Sequence, residues 1–208
     1  METQPAGARY PVRLSIDYPD RDLNRLTTFF RLIVAVPIII VLTAVSGGAL
    51  GAGWEESRDY VQFSGAAGGG LLFFAPLLMI LFRQKYPRWW FEWNLNLFRF
   101  TNRVFAFLSL MDDRYPSTDE EQAVHIEIDY PDARRDLNRW LPLVKWFLAI
   151  PHYIVLAFLF IAALLVVIIA WFAILFTGRY PRGMFGFIEG TFRWAARVEG
   201  YAILLVTD

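Results

Sequence analysis

Leu141–Phe176 reads LPLVKWFLAIPHYIVLAFLFIAALLVVIIAWFAILF, a nearly unbroken apolar run of 36 residues. As one helix it would be about 54 Å long, against a bilayer hydrocarbon core of about 30 Å. The excess predicts a tight helical hairpin of two spans, turning near Ala162 and Ala163. Two earlier apolar stretches bring the expected total to four: Phe29–Val45, with Pro37 inside it, and Val61–Phe82, which opens on the small-residue run Ser64–Gly70. Charge placement agrees, because Lys and Arg favour the cytoplasmic side of short loops. With four spans, both termini and the stretch Arg83–Trp140 share one side, and Arg58 is the only basic residue left on the other.

Composition points the same way. Of 208 residues 56% are hydrophobic, 17% aromatic and 19% charged, and the mean hydropathy is +0.38. Soluble domains of this size rarely carry so few charges. Lys plus Arg and Asp plus Glu balance at 20 each, which leaves no bulk positive field for nucleic acid. Cysteine is absent, and His125 and His152 are far apart. Disulfides, thiol chemistry and the common zinc patterns are therefore excluded, and no cofactor or metal is expected. Met1–Thr28 is polar and holds Arg9, Arg13, Arg21 and Arg25, so the chain is expected to insert without a cleaved signal.

Self-similarity organises what lies between the apolar runs. VRLSIDYPD at Val12–Asp20 recurs 112 positions later as VHIEIDYPD at Val124–Asp132. After two inserted residues, Asp22, Leu23, Asn24 and Arg25 pair with Asp136, Leu137, Asn138 and Arg139, and Arg31 and Pro37 with Lys145 and Pro151. Tyr86, Pro87 and Arg88 then match Tyr180, Pro181 and Arg182 at an offset of 94, as do Arg99 and Arg103 with Arg193 and Arg197. The fold class expected is a mainly α, polytopic membrane protein of four transmembrane helices in two parallel tandem repeats. Residues 10–113 form the first unit, 114–123 an acidic linker and 124–208 the second unit, which has a shorter loop between its spans.

Each unit opens with period-two alternation, Val12, Leu14 and Ile16 in one and Val124, Ile126 and Ile128 in the other, the pattern of a half-buried strand. Val104–Leu110 and Tyr201–Val206 read as closing strands, giving a small cytoplasmic β-sheet of four strands. Arg88–Arg103 and Arg182–Arg197 are amphipathic helices rich in aromatic residues, suited either to the headgroup layer or to covering the sheet.

The IDYP strand ends, the DLNR helix starts at Asp22 and Asp136, and FTGRYPRG at Phe176–Gly183 together resemble a bacterial integral-membrane family known as a domain of unknown function, DUF4389. The likeness extends over nearly the whole chain as two tandem copies of the unit. It implies the bacterial cytoplasmic (inner) membrane, and it brings no activity, ligand or catalytic residue.

Three groups of residues carry what chemistry the sequence offers. Arg99, Arg103, Arg193 and Arg197, with Trp89, Trp90 and Trp93, are candidates for binding lipid or a partner protein. Asp17, Asp22, Arg25, Asp129, Asp136 and Arg139 form a candidate structural polar cluster, in which an aspartate caps a helix and the arginines pair with the acids. His152 is the one ionisable residue deep in an apolar run, and an intramembrane polar group invites a functional reading; its counterpart in the first unit is Ile38. Arg31 and Lys145 are expected to snorkel to the cytoplasmic interface. Recognisable nucleophile, nucleotide-loop and metal motifs are absent. The leading expectation is thus a non-enzymatic accessory or scaffolding protein that binds membrane lipids, a membrane-protein partner or a second copy at the cytoplasmic interface, multi-pass with both termini cytoplasmic. A transporter or channel subunit and a membrane-embedded lipid-modifying enzyme are the alternatives.

Overall fold

The computed structural model describes residues 10–45, 87–118, 120–131 and 141–202. Strands β1 (Val12–Ile16) and β2 (Val124–Ile128) pair antiparallel in the register Val12↔Ile128, Leu14↔Ile126 and Ile16↔Val124. Their alternating apolar residues are buried on one face. Two strands alone are marginal in water, so that face has to be covered. Helix α3 (Arg88–Leu108) packs on β2 and helix α5 (Arg182–Ala202) on β1. They bring Trp90, Phe91 and Phe98 from one side and Phe185, Ile188 and Phe192 from the other into a common core. Each covering helix therefore rests on the strand from the opposite half of the chain.

The remaining helices are apolar. Asn24 caps α1 (Arg25–Phe29), its Oδ1 accepting from the amides of Leu26 at 2.9 Å and Thr27 at 3.3 Å. Helix α2 (Arg31–Val45) follows at once and packs on α3. Helix α4 (Leu141–Thr177) runs unbroken for 37 residues and packs against α5 and α1. It ends on Gly178, whose φ of 76° is the left-handed cap position that favours glycine. The Gly178 carbonyl accepts from Leu23 N at 2.8 Å, tying this turn back to the first half.

Several expectations are corrected. The apolar run from Leu141 is one helix and not a hairpin, because between Tyr153 and Phe176 nothing breaks a helix and a turn there would strand backbone amides in an apolar setting. Among the described residues one helix, Phe147–Thr177, is long and apolar enough to cross a membrane. The span placed at Phe29–Val45 is divided at Phe30, and its described part beyond that point, α2, is 15 residues or about 22 Å long, shorter than the hydrocarbon core. Val61–Phe82 lies outside the described residues. The fold of four transmembrane helices in parallel repeats gives way, among the described residues, to a mostly helical structure with one candidate span and a two-stranded sheet. Val104–Leu108 closes α3 as helix, its end sealed by hydrogen bonds from Met111 N to the Ala106 carbonyl and from Leu110 N to the Phe107 carbonyl. Tyr201 and Ala202 belong to α5, and the rest of that expected strand is outside the described residues.

Contacts at matching positions recur. Arg99 Nε donates to the Ile126 carbonyl at 3.2 Å and Arg193 Nε to the Leu14 carbonyl at 3.1 Å. The guanidinium of Arg88 lies over the Tyr130 ring at 5.4 Å, and that of Arg182 over Tyr18 at 5.1 Å. Phe91 meets Tyr130 edge-on, as Phe185 meets Tyr18. Arg31 sits over Phe107 at 4.2 Å and Lys145 over Tyr201 at 5.2 Å. Neither of these two cations snorkels, since Arg31 is 2% and Lys145 0% exposed.

Candidate functional site

Three of the four candidate arginines are spent on the fold. Arg99 and Arg193 hold strand carbonyls, and Arg193 also meets Glu189 at 2.6 Å one turn away. Arg103 donates to the Ser117 carbonyl at 2.8 Å and thereby clamps the segment between the two halves. Arg197 differs. Among the described residues its guanidinium has no carboxylate partner and lies over the ring of Tyr10 at 5.0 Å.

Arg197 lines a cavity of about 340 Å³ between α4 and α5, with Tyr10, His152, Trp194 and Tyr201 over a floor of Ala149 and Val198. His152 stands edge-on to Trp194 with ring centroids 6.5 Å apart. Neither of its ring nitrogens is hydrogen-bonded among the described residues. The spacing of His152 and Ala149 on α4, and of Trp194, Arg197, Val198 and Tyr201 on α5, puts each set on one helical stripe. Tyr10 reaches the cavity because β1 packs on α5.

Glu199 of α5 is a functional candidate that sequence reasoning missed. Burial pushes its carboxyl up to about 7, within the range where a modest change of pH alters its charge. Position alone would have drawn attention to it, since Phe105 occupies the matching place on α3.

The polar cluster is dispersed along the sheet edge and the nearby turns. His125 Nε2 lies 2.9 Å from Asp17 Oδ2, and Arg13 bridges Glu127 at 3.0 Å and Asp129 at 3.6 Å, a solvent-facing cross-strand ladder. Asp22 pairs with Arg179 at 2.9 Å, beside the Gly178 turn that Arg25 also approaches. The helix cap falls to Asn24 and not to an aspartate, while Asp136 and Arg139 lie outside the described residues. Arg31, whose pKa burial lowers against the opposing pull of Asp113, binds the Asp112 carbonyl and the Asp113 carboxylate, each at 2.6 Å. Of the tryptophans on α3, Trp90 is buried in the core, whereas Trp89 and Trp93 are 64% and 54% exposed. Among the described residues no group of three or more His, Cys, Asp or Glu side chains could hold a metal ion.

No curated protein and no solved structure matches the chain. Residues 140–208, its C-terminal third including α4, α5 and most of the cavity, match the family model described as a domain of unknown function, DUF4389, and are similar to that family.

Proposed function

We propose that the chain is a non-enzymatic accessory protein of the bacterial cytoplasmic membrane, anchored by α4, that binds lipid or a membrane-protein partner through the layer formed by α3, α5 and the sheet. The observation that carries this reading is the bareness of α4. Within Phe147–Thr177 the most apolar 18 residues have a mean hydropathy of 3.2, yet only 17% of them are buried. An apolar helix at the core of a water-soluble domain is covered on all sides, whereas Phe158, Ile161, Leu164, Leu165 and Phe176 all present their surface outward. Contiguous apolar surface of this extent marks a membrane or a partner. Exposed Trp89 and Trp93 suit the layer where lipid headgroups meet acyl chains.

The same reading treats the two halves as copies of one strand-and-helix unit. It is supported by the paired contacts Arg99–Ile126 and Arg193–Leu14, Arg88–Tyr130 and Arg182–Tyr18, and Arg31–Phe107 and Lys145–Tyr201. Duplication leaves one copy free to diverge while the other preserves the frame.

Alkaline carbonate extraction of bacterial membranes containing the full chain tests the proposal. The protein is expected in the pellet until detergent is added, and then to purify with bound phospholipid or a partner. Release by carbonate overturns the membrane assignment. Recovery in mild detergent as a lone, lipid-free species overturns the accessory role.

A further inference from the structure

We infer that the cavity between α4 and α5 binds the phosphate group of an anionic amphiphile, with Arg197 as the ion partner and His152 as a second polar contact. The inference rests on the membrane reading above and names the ligand of that layer.

Its first support is what the matching place in the other half contains. There Ala35, Ile38, Phe100, Val104 and Phe107 close into a buried apolar cluster. In the second half Ala149 and Val198 keep their apolar character, but His152 stands for Ile38, Trp194 for Phe100 and Tyr201 for Phe107. At these positions one half has a packed core and the other a cavity of about 340 Å³ with polar groups on its wall. A site that served only the fold would have no reason to give up the apolar filling.

The second support is the state of the two polar groups. Arg103, the match of Arg197, is consumed by the Ser117 carbonyl. Arg197 keeps its planar fork of donors available, the geometry that pairs with phosphate oxygens in two parallel hydrogen bonds. His152 offers a further ring N–H, whichever tautomer it adopts.

The rim decides in favour of an amphiphile. Leu148 and Val155, four residues before and three after His152 on α4, are exposed on the same side of the helix, and His152 lies five residues inside the start of the apolar segment Phe147–Thr177. A headgroup seated against Arg197 therefore has apolar surface beside it for its chains. Free phosphate would use the wall but not the rim.

Binding of phosphatidic acid bearing a fluorescent acyl chain to the full chain in nonionic detergent micelles tests the site. Phosphatidylcholine and inorganic phosphate serve as the comparison probes, and each variant's melting temperature is recorded. Arg197→Ala and His152→Ile, the latter restoring the residue of the first half, are each expected to weaken phosphatidic acid binding about tenfold, the worth of a lost charge-assisted hydrogen bond. Arg179→Ala, which removes an equal charge from an exposed side chain outside the cavity, is expected to leave binding within about twofold. Wild-type affinity in both cavity variants overturns the proposal, as does equal weakening by Arg179→Ala. Should Arg197→Ala melt at a much lower temperature, His152→Ile decides alone. Inorganic phosphate that binds as tightly as the lipid and is lost on Arg197→Ala overturns the amphiphile and assigns the site to the free ion. Carbonate extraction of the same variants separates the two readings: a chain that stays in the pellet with unchanged lipid affinity loses only the site, while one that leaves the pellet loses the anchor.

Discussion

The α2–α3 contact and the α4–α5 contact are built from matching sequence positions and end in opposite states. In the first, Ile38 and Phe100 fill the space between the helices. In the second, His152 and Trp194 stand around an opening. The framework around both is held by the same devices, an arginine on a strand carbonyl and a cation over an aromatic ring. The arginine-to-carbonyl hydrogen bonds do not involve the residues at the centre, and the cation–π contact accepts the ring of Phe107 or of Tyr201 alike, so one frame tolerates very different fillings.

The largest effect expected from breaking this comparison is at its aromatic pair. Phe100 is 3% exposed and Trp194 38%. Phe100→Ala removes a fully packed ring and is expected to cost about 3 to 5 kcal/mol, seen as a large fall in melting temperature in detergent. Trp194→Ala deletes a bigger ring that is already partly out of the core, and is expected to cost about 1 to 2 kcal/mol. Equal losses would mean that the opening at Trp194 is as well packed as the cluster at Phe100.

How far the sequence could be read follows from the same contrast. Alternation in VRLSI and VHIEI placed both strands and their buried faces, because a period of two has one structural meaning when only one face is covered. Val104–Leu110 misled through its composition. Aromatic and β-branched residues suggest a strand, yet Phe100, Val104 and Phe107 already stood at the i, i+4, i+7 spacing of a buried helical stripe. The run from Leu141 misled through its length, since excess over the bilayer thickness was given more weight than the absence of any turn residue. His152 and Arg197 were both legible as candidates. That they share one cavity was not, because Tyr10 and α5 come together only once β1 crosses to the helix of the other half. Glu199 stayed hidden for a related reason: the comparison with Phe105 marked its position, but the burial that shifts its carboxyl is a tertiary fact.

Glu199 also supplies the next test. Its carboxyl is raised from the ordinary 4.5 to about 7 by burial, so the folded chain binds this proton more tightly than the unfolded chain does. The folded state has its full relative stability below pH about 4.5, loses it as pH climbs towards about 7, and is least stable above that. The difference amounts to at most about 3 kcal/mol. Thermal unfolding between pH 5 and 8 is expected to show a falling midpoint for the natural chain and a flatter profile for Glu199→Gln, which keeps the volume without the charge. No comparable slope is expected from the first half, where Phe105 holds the matching position. An unchanged slope in Glu199→Gln would assign the pH dependence to other groups.

The smallest effect lies on the sheet edge, remote from both helix pairs. Arg13 bridges Glu127 and Asp129 with side chains 38%, 68% and 65% exposed. Water screens such pairs, and holding three long side chains in place costs entropy that offsets most of the attraction. Arg13→Ala is expected to lower stability by less than about 1 kcal/mol, and to lower it less still at high salt. Its stem matters more than its charge, since Arg13 Nε is buried without a hydrogen-bond partner. Arg13→Lys, which keeps both charge and stem, should therefore melt within experimental error of the natural chain. A loss in Arg13→Ala as large as that of Phe100→Ala would show that the ladder, and not the apolar face beneath it, holds β1 against β2.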